Sequence, residues 1–333
     1  HGVDTVFGYP GGTALNIFDE LYKYSDKIKH VLTAHEQGAS HAADGYARAT
    51  GKTGVVFATS GPGATNLVTG IATAFMDSIP LVAITANVPD SLIGRDAFQE
   101  ISITGVTLPI TKHNDFVNRI EDLEPALREA FKIANSGRKG PVLVDITKDV
   151  TAASIEYTSK PPLQLKEPPK METEDIAAIV KLINAAEKPV AYVGGGVTAA
   201  DCGKELIAFL EKADIPAAYT LMAAGMIGYD HELNLGLVGM HGSVAANRAF
   251  DQADLIITLG ARFSDRVALN PAKFGRRAKI VQVDIDKSEI NKNVIIDKAV
   301  VGDVREFLIR ALPHVDEKKH EEWHERVQGW RSK

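Results

Sequence analysis

HVLTAHEQGASHAADGYARATGKTGVVFATSGPGATN, residues 30–66, decides the fold class. It opens with the short apolar run His30–Ala34 and passes into a helical pattern over Gln37–Thr50. The apolar run Gly54–Thr59 follows, and a second helical pattern covers Ala64–Phe75. Two strand-like runs joined through a helix form a βαβ unit, whose strands must lie parallel. VVFAT shows no apolar–polar alternation, as expected where helices cover both faces of a sheet.

Working outward, further strand-like runs lie at Val3–Gly8, Leu81–Thr85, Leu108–Lys112 and Pro141–Ile146, with a helical pattern at Asp122–Asn135. Residues 1–150 therefore read as one doubly wound α/β domain. From Thr151 the periodicity stops. SKPPLQLKEPPK holds four prolines in twelve residues, which excludes a helix and favours extended chain. Residues 151–170 are expected to be a linker.

A second doubly wound α/β domain is expected over 171–315. Its helices are expected at Glu174–Ala186, Ala200–Lys212 and Val304–Leu312, and its strands at Pro189–Val193, Pro216–Thr220, Leu255–Leu259, Lys279–Val283 and Ala299–Val301. The closing residues 316–333 are charged and helical in pattern, carry both Trp323 and Trp330, and read as the start of another linker.

Composition agrees with this layout and excludes several classes. With 333 residues and roughly 100–200 residues per domain, two domains are expected. Hydrophobic residues make up 45% and charged residues 24%, ordinary globular values. The 37 basic against 43 acidic residues leave a net charge of −6, which argues against the basic face that nucleic-acid binding needs. No apolar run approaches the roughly 18 residues of a membrane span. A single cysteine, Cys202, rules out a disulfide framework and a multi-cysteine metal site. A cytoplasmic location is expected. The chain begins at His1 without an initiator methionine or a signal-peptide pattern, and stops at WRSK inside a helical stretch. Both ends are expected to be cut from a longer protein.

Several motifs sit where strands give way to helices, the usual ligand position in open parallel sheets. Glu36 falls just past a strand, in the first turn of a helix. There it can face a ligand, or serve only the helix dipole for roughly 0.3–1 kcal/mol. His35 and His41 are six apart and make a poor metal pair. SGPGATN (60–66) can cradle an anion but lacks the Lys–Ser/Thr pair of a P-loop, and close backbone packing explains it equally. Gly194–Gly196 follows a strand and precedes a helix, the place for a dinucleotide pyrophosphate. No acidic residue ends the next strand, however, so a nicotinamide site is weakly signalled and a tight turn explains the glycines as well. GMHG (239–242) and LGARFSDR (259–266) bracket a helix and strand. Arg262 and Arg266 can meet phosphate or carboxylate, or be solvated surface cations. Asp284 can accept a ribose hydroxyl or cap a helix opening near Lys287.

Taken together, GYPGG (8–12), HEQGASHAADGYARATG (35–51), TSGPGATN (59–66), GRDAFQE (94–100), GRKGPVLVDITKDV (137–150), GMHG, GARFSDR and VDID closely resemble the large catalytic subunits of the acetohydroxyacid (acetolactate) synthases. These are thiamine-diphosphate enzymes that also bind FAD. The resemblance spans nearly the whole chain. It implies a pyrimidine-binding domain followed by a Rossmann-like central FAD-binding domain. The family's third domain, with the GDG…N segment that holds Mg²⁺ and the cofactor's diphosphate, finds no match here, so no metal ligand is expected within this chain.

Residue by residue, the resemblance implies that Glu36 bonds the aminopyrimidine of thiamine diphosphate and controls its tautomer. Gly12, Pro62 and Asn66 would line the same pocket, Phe98 and Gln99 would face substrate, and Lys148 would reach the entrance. For FAD the implied contacts are Arg138, Gly194, Gly195, Gly196, Thr220, Leu221, Gly239, Met240, His241, Gly260, Ala261, Arg262, Ser264, Asp265, Arg266, Asp284, Ile285 and Asp303. Ser264 departs from the aspartate most members carry, which removes one polar contact and leaves Asp265 and Arg266 in place.

The implied reaction decarboxylates pyruvate and joins the two-carbon carbanion to a second 2-oxoacid, pyruvate or 2-oxobutyrate. The products would be 2-acetolactate or 2-aceto-2-hydroxybutyrate, in branched-chain amino-acid synthesis, with FAD structural. A homodimer or dimer of dimers, and a small regulatory subunit, are implied partners. Glu36 argues against glyoxylate carboligase, and DAFQE with GMHG argues against a pyruvate-oxidase-like relative. A different class of reading makes the chain a non-catalytic module that dimerises and holds FAD.

Overall fold

The apolar runs become strands, and every strand pairing is parallel. The computed structural model describes residues 1–331 and divides the chain into two units, one ending at Glu167 and the other beginning at Pro168. Each unit holds one six-stranded sheet with helices packed on it. This is the doubly wound α/β class that the sequence predicts.

In the first unit the strands are β1 (Thr5–Gly8), β2 (Lys29–Leu32), β3 (Gly54–Ala58), β4 (Leu81–Asn87), β5 (His113–Val117) and β6 (Pro141–Thr147), in the order β2-β1-β3-β4-β6-β5. The helices are α1 (Leu15–Lys23), α2 (Glu36–Thr50), α3 (Pro62–Asn66), α4 (Val68–Asp77), α5 (Ile103–Thr107), α6 (Ile120–Asn135) and α7 (Lys148–Ala152). The central strands β4 and β6 are buried along their whole length. After β2 the chain crosses back over β1 to form β3, so the sheet's topological switch point lies between β1 and β3.

Helix α2 is built from small residues so that it can lie close to its neighbours. Ala39, Ser40, Ala43 and Ala47 are buried on one face, spaced for a single helical stripe. A Cβ on Gly70 of α4 would fall 2.1 Å from Ser40 Oγ, and one on Gly54 would fall 2.3 Å from the Ala43 carbonyl. The helix stops at Gly51, whose φ of +72° forms a left-handed cap with its N–H on the Ala47 carbonyl.

One strand expectation is corrected. Leu108–Lys112 is not extended: Leu108–Ile110 form a single 3₁₀ turn with Pro109 at its start, and the edge strand is the polar run His113–Val117. After α7 there is no helix or strand up to Glu172. The proline-rich segment lies along α6, where Arg128 Nη1 donates to the Lys160 carbonyl at 3.2 Å and the Lys166 N–H to Ser136 Oγ at 3.0 Å.

In the second unit the strands are β7 (Pro189–Val193), β8 (Ala217–Tyr219), β9 (Asn234–Leu237), β10 (Leu255–Leu259), β11 (Lys279–Asp284) and β12 (Lys298–Val301), in the order β12-β11-β10-β7-β8-β9. The helices are α8 (Thr173–Ala185), α9 (Gly195–Ala199), α10 (Gly203–Ala213), α11 (Val244–Gln252), α12 (Val304–Ala311) and α13 (Glu321–Arg331). The switch point here lies between β7 and β10. Residues 287–293 open with one 3₁₀ turn rather than a helix, and its cap is Asp286, whose carboxylate accepts the Ser288 N–H. Cys202 is fully buried, and burial pushes its thiol up to about 12.

The closing segment packs on the second unit. In helix α13 Trp323 is 3% exposed, Val327 is buried one turn on, and both join the core on one face of the second sheet. Trp323 Nε1 donates to the Pro189 carbonyl at 3.0 Å, and its ring meets Trp330 edge-on at 5.9 Å. Ser332 and Lys333, the end of that expected span, lie outside the described residues. Trp323→Ala removes both the ring and the bond to Pro189, and is expected to destabilise the second unit by about 3–5 kcal/mol. Urea denaturation of the purified chain should show the loss as a lowered midpoint.

Candidate functional site

Parallel pairing puts the carboxyl ends of all strands in a sheet on one edge. In the first unit that edge gathers Gly12 after β1, Glu36 after β2, Pro62 and Asn66 after β3, the 94–100 loop after β4 and Lys148 after β6.

Glu36 is 8% exposed and begins α2 behind an extended His35, whose Nδ1 accepts the Gln37 N–H at 3.1 Å. Its Oε2 accepts from Asn66 Nδ2 at 3.0 Å. Its Oε1 lies over Gly63, where a Cβ would come to 3.3 Å. Glycine at 63 keeps that oxygen uncrowded. A Cβ on Gly12 would meet nothing within 4 Å, so the chain leaves open space there.

Sequence reading missed the framework under this pocket. Thr13 Oγ1 donates to the Ala86 carbonyl at 2.7 Å, lies 2.9 Å from Thr59 Oγ1 and accepts the Ser60 N–H at 3.1 Å. The ends of β1, β3 and β4 are thereby tied at one hydroxyl. The buried Ser60 hydroxyl has no partner among the described residues. An unpartnered hydroxyl and a buried carboxylate on the same sheet edge are groups that a polar heterocycle could satisfy.

The 94–100 loop is braced by Glu100, which accepts the Gly94 and Ala97 N–H groups. Those backbone bonds, Gly94 first, hold its carboxyl below the usual range. Gln99 adopts φ +59°, and a Cβ on Gly61 would fall 2.8 Å from Gln99 Cβ, so the loop touches the Ser60–Pro62 turn. Phe98 is 88% exposed at its crest. Pro62 and Lys148 are exposed as well.

A second missed residue is Asp145 in β6, 2% exposed. Thr85 Oγ1 donates to its Oδ1 at 2.6 Å and Asn87 Nδ2 to its Oδ2 at 2.7 Å. Asn87 Nδ2 also reaches the Ile101 carbonyl at 3.3 Å, next to the Glu100 loop. Burial outweighs these donors and raises the Asp145 pKa to about 6. The signal available in sequence was an acidic residue inside the apolar run PVLVDI.

In the second unit the carboxyl edge gathers Gly194–Gly196 after β7, Thr220 and Leu221 after β8, Gly239–His241 after β9, Gly260–Arg266 after β10, Asp284 and Ile285 after β11, and Asp303 after β12. The triple glycine serves packing first: a Cβ on Gly194 would fall 2.3 Å from the Gly260 carbonyl, and one on Gly196 would fall 2.6 Å from Gly260 Cα. Helix α9 is only five residues long. GMHG and GARFSDR meet directly. Gly239, at φ +106°, is held by Asn247 through both its N–H and its carbonyl, and the Met240 N–H donates to the Arg266 carbonyl at 2.8 Å.

Around that junction Leu221, Met240, His241, Asp265 and Arg266 are exposed, Ser264 is half-buried in a turn, and Ala261 is buried. The buried Thr220 hydroxyl is unpartnered among the described residues. Asp284 Oδ1 accepts the Asp286 N–H, and Asp303 caps α12 through the Glu306 N–H. Arg138 lies at the amino-terminal edge of the first sheet, opposite that unit's carboxyl-edge residues, with Nε on Ser78 Oγ at 2.8 Å. Among the described residues no group of three or more His, Cys, Asp or Glu side chains is arranged to hold a metal ion, and no helix is long and apolar enough to cross a membrane.

Two parallel sheets, each with functional loops at its switch point, define a class. Residues 1–106 match the N-terminal TPP-binding domain of thiamine pyrophosphate enzymes, and residues 176–311 match their central domain. The chain belongs to the thiamine pyrophosphate enzymes. Within that class it is similar to acetolactate synthases. It is 49% identical to the large subunit of Corynebacterium glutamicum over 338 residues, covering 99% of this chain and 54% of that protein. It is 49% identical to the Arthrospira platensis enzyme over 92% of this chain and 55% of that one. It is 50% identical to the Mycobacterium leprae enzyme over 93% and 50%. The chain thus spans about half the length of the curated relatives it matches.

The Asp145 pKa carries a sign. The folded chain holds this proton more tightly than the unfolded one, so the stabilisation is full below about pH 3.8 and is lost as pH rises through about 6. At pH 7 the buried charge costs about 3 kcal/mol. The stability of Asp145→Asn relative to wild type should therefore improve by about that amount between pH 4 and pH 7, read from urea midpoints at each pH. A difference independent of pH would contradict it.

Proposed function

We propose that this chain supplies the pyrimidine-binding and central FAD-binding domains of an acetolactate synthase, with a further domain completing the enzyme. The observation that carries the reading is Glu36: a buried carboxylate, oriented by Asn66, at the carboxyl edge of the first sheet. The unpartnered Ser60 hydroxyl on the same edge would give the pyrimidine half of thiamine diphosphate a polar partner. The likeness to acetolactate synthases names the reaction class.

Thiamine diphosphate, when bound, supplies the electron sink for decarboxylation and carbon–carbon bond formation. Glu36 holds and returns a proton at Oε1 or Oε2, in a setting whose low dielectric strengthens that exchange. Asn66 fixes Oε2 by donating to it. Gly12 and Pro62 line the pocket with backbone and ring. Phe98 and Gln99 face the reacting end, on a loop Glu100 keeps in shape. Lys148 places an exposed ammonium where 2-oxoacids, which are anions, would arrive. The substrates are pyruvate with a second pyruvate or 2-oxobutyrate, in branched-chain amino-acid synthesis. Mg²⁺ and the cofactor's diphosphate are assigned to the further domain.

FAD is assigned a structural role in the second unit, on Gly194–Gly196, Thr220, Leu221, Gly239–His241, Gly260–Arg266, Asp284, Ile285 and Asp303. The unpartnered Thr220 hydroxyl supports the fit, since a dinucleotide offers it a partner. Arg262 and Arg266 suit the diphosphate charge. We assign a cytoplasmic location, a homodimer or dimer of dimers, and a small regulatory subunit as partner.

Supplied with thiamine diphosphate, Mg²⁺ and pyruvate, the 333-residue chain is expected to make no acetolactate above background; robust turnover overturns the division between domains. In the completed enzyme, Glu36→Gln is expected to lower acetolactate formation by roughly a hundredfold or more, with flavin content and circular dichroism unchanged. Undiminished turnover in that variant removes the role given to Glu36.

A further inference from the structure

Three successive carbonyl oxygens in the loop after β10 accept hydrogen bonds from three side chains on separate elements. Gln282 Nε2 of β11 donates to Ala261 O at 3.4 Å, Tyr192 OH of β7 to Arg262 O at 3.1 Å, and Asn293 Nδ2, beyond the 287–289 turn, to Phe263 O at 2.9 Å. Ala261 and Phe263 are buried on either side of a half-buried Arg262. Farther along, the Arg266 carbonyl is pinned by the Met240 N–H. Such a loop has little freedom left to lose when a ligand binds.

One of the three donors, Gln282, sits where stability alone does not call for it. Tyr192 and Gln282 are fully buried, and both flank Thr258 across the central strands. Gln282 Oε1 and Thr258 Oγ1 have no partners among the described residues. A buried amide with its oxygen unsatisfied costs stability that a leucine of similar size would not. Burial also raises the Tyr192 phenol well above its ordinary value, so it stays a proton donor.

We propose that Tyr192, Asn293 and Gln282 are positioning residues that preset Arg262 for the diphosphate of a bound dinucleotide, here FAD. This rests on the flavin reading of the second unit. None of the three needs to touch the ligand. They act by keeping the binding-competent loop populated in the flavin-free chain.

The test uses the full chain with Tyr192→Phe, Asn293→Ala and Gln282→Leu, titrated with FAD and followed by flavin fluorescence. Amide hydrogen exchange over residues 261–268 and Tm are measured on the flavin-free proteins. Tyr192→Phe keeps the ring against Phe250 and Phe263, at 5.8 and 5.9 Å, so folding should be preserved. Expected are a Kd raised about tenfold in Tyr192→Phe and Asn293→Ala, as follows if the competent loop falls to a tenth of the population. Faster exchange over 261–268 and an unchanged Tm should accompany it, with Gln282→Leu at least as thermally stable as wild type. Wild-type affinity in all three variants overturns the positioning proposal and leaves the flavin reading standing. A wild-type chain that binds no FAD overturns both.

Discussion

Glycine backbone packed where no Cβ fits is the constraint on which both units depend. At the carboxyl edge of each sheet the loops approach so closely that no Cβ fits: Gly194 and Gly196 against Gly260 in the second unit, Gly11 against Thr59 and Gly61 against Gln99 in the first. These contacts bring loops from non-adjacent stretches of chain to one place at the switch point. Glycine weakens regular structure through its conformational entropy. The parallel sheets, with their fully buried central strands, supply the burial that offsets it.

The two units build on this frame differently. In the first, the gathered polar groups are side chains: Glu36 held by Asn66, over a threonine–serine lattice. In the second, the fixed object is main chain, with three successive carbonyls tethered by side chains. A group that must exchange a proton needs a titratable side chain in a sheltered place. A flat, multiply charged ligand is better met by a rigid backbone carrying cations.

Much of this was legible in sequence, and the failures share a cause. Apolar runs located the central strands because those strands are buried on both faces, as Pro189–Val193 and Leu255–Leu259 are. Two of the four edge strands escaped. His113–Val117 is polar and half-exposed, while the neighbouring LPITK is more apolar yet leaves Leu108 70% exposed. Asn234–Leu237 is four residues with a glycine at φ +84°. Helix α1 has no side-chain cap to announce it. In α13 the charges concealed Trp323 and Val327, whose i, i+4 spacing marks one buried stripe. Around the site, the place of Glu36 past a strand admitted a ligand contact or a helix-dipole role, and only the resemblance chose between them. Thr13, Asp145 and Tyr192 were not, because their partners are tens of residues away and only pairing between strands discloses them.

The state of Cys202 has a practical consequence. The chain's one sulfhydryl is shut inside the second unit, with Sγ against the Val197 carbonyl and its ionisation suppressed. Alkylating dyes attack thiolates, so the native chain is blank to them. A cysteine placed at an outward site such as Leu221 would take up a maleimide fluorophore alone, giving a reporter on the carboxyl edge of the second sheet without first deleting the natural residue.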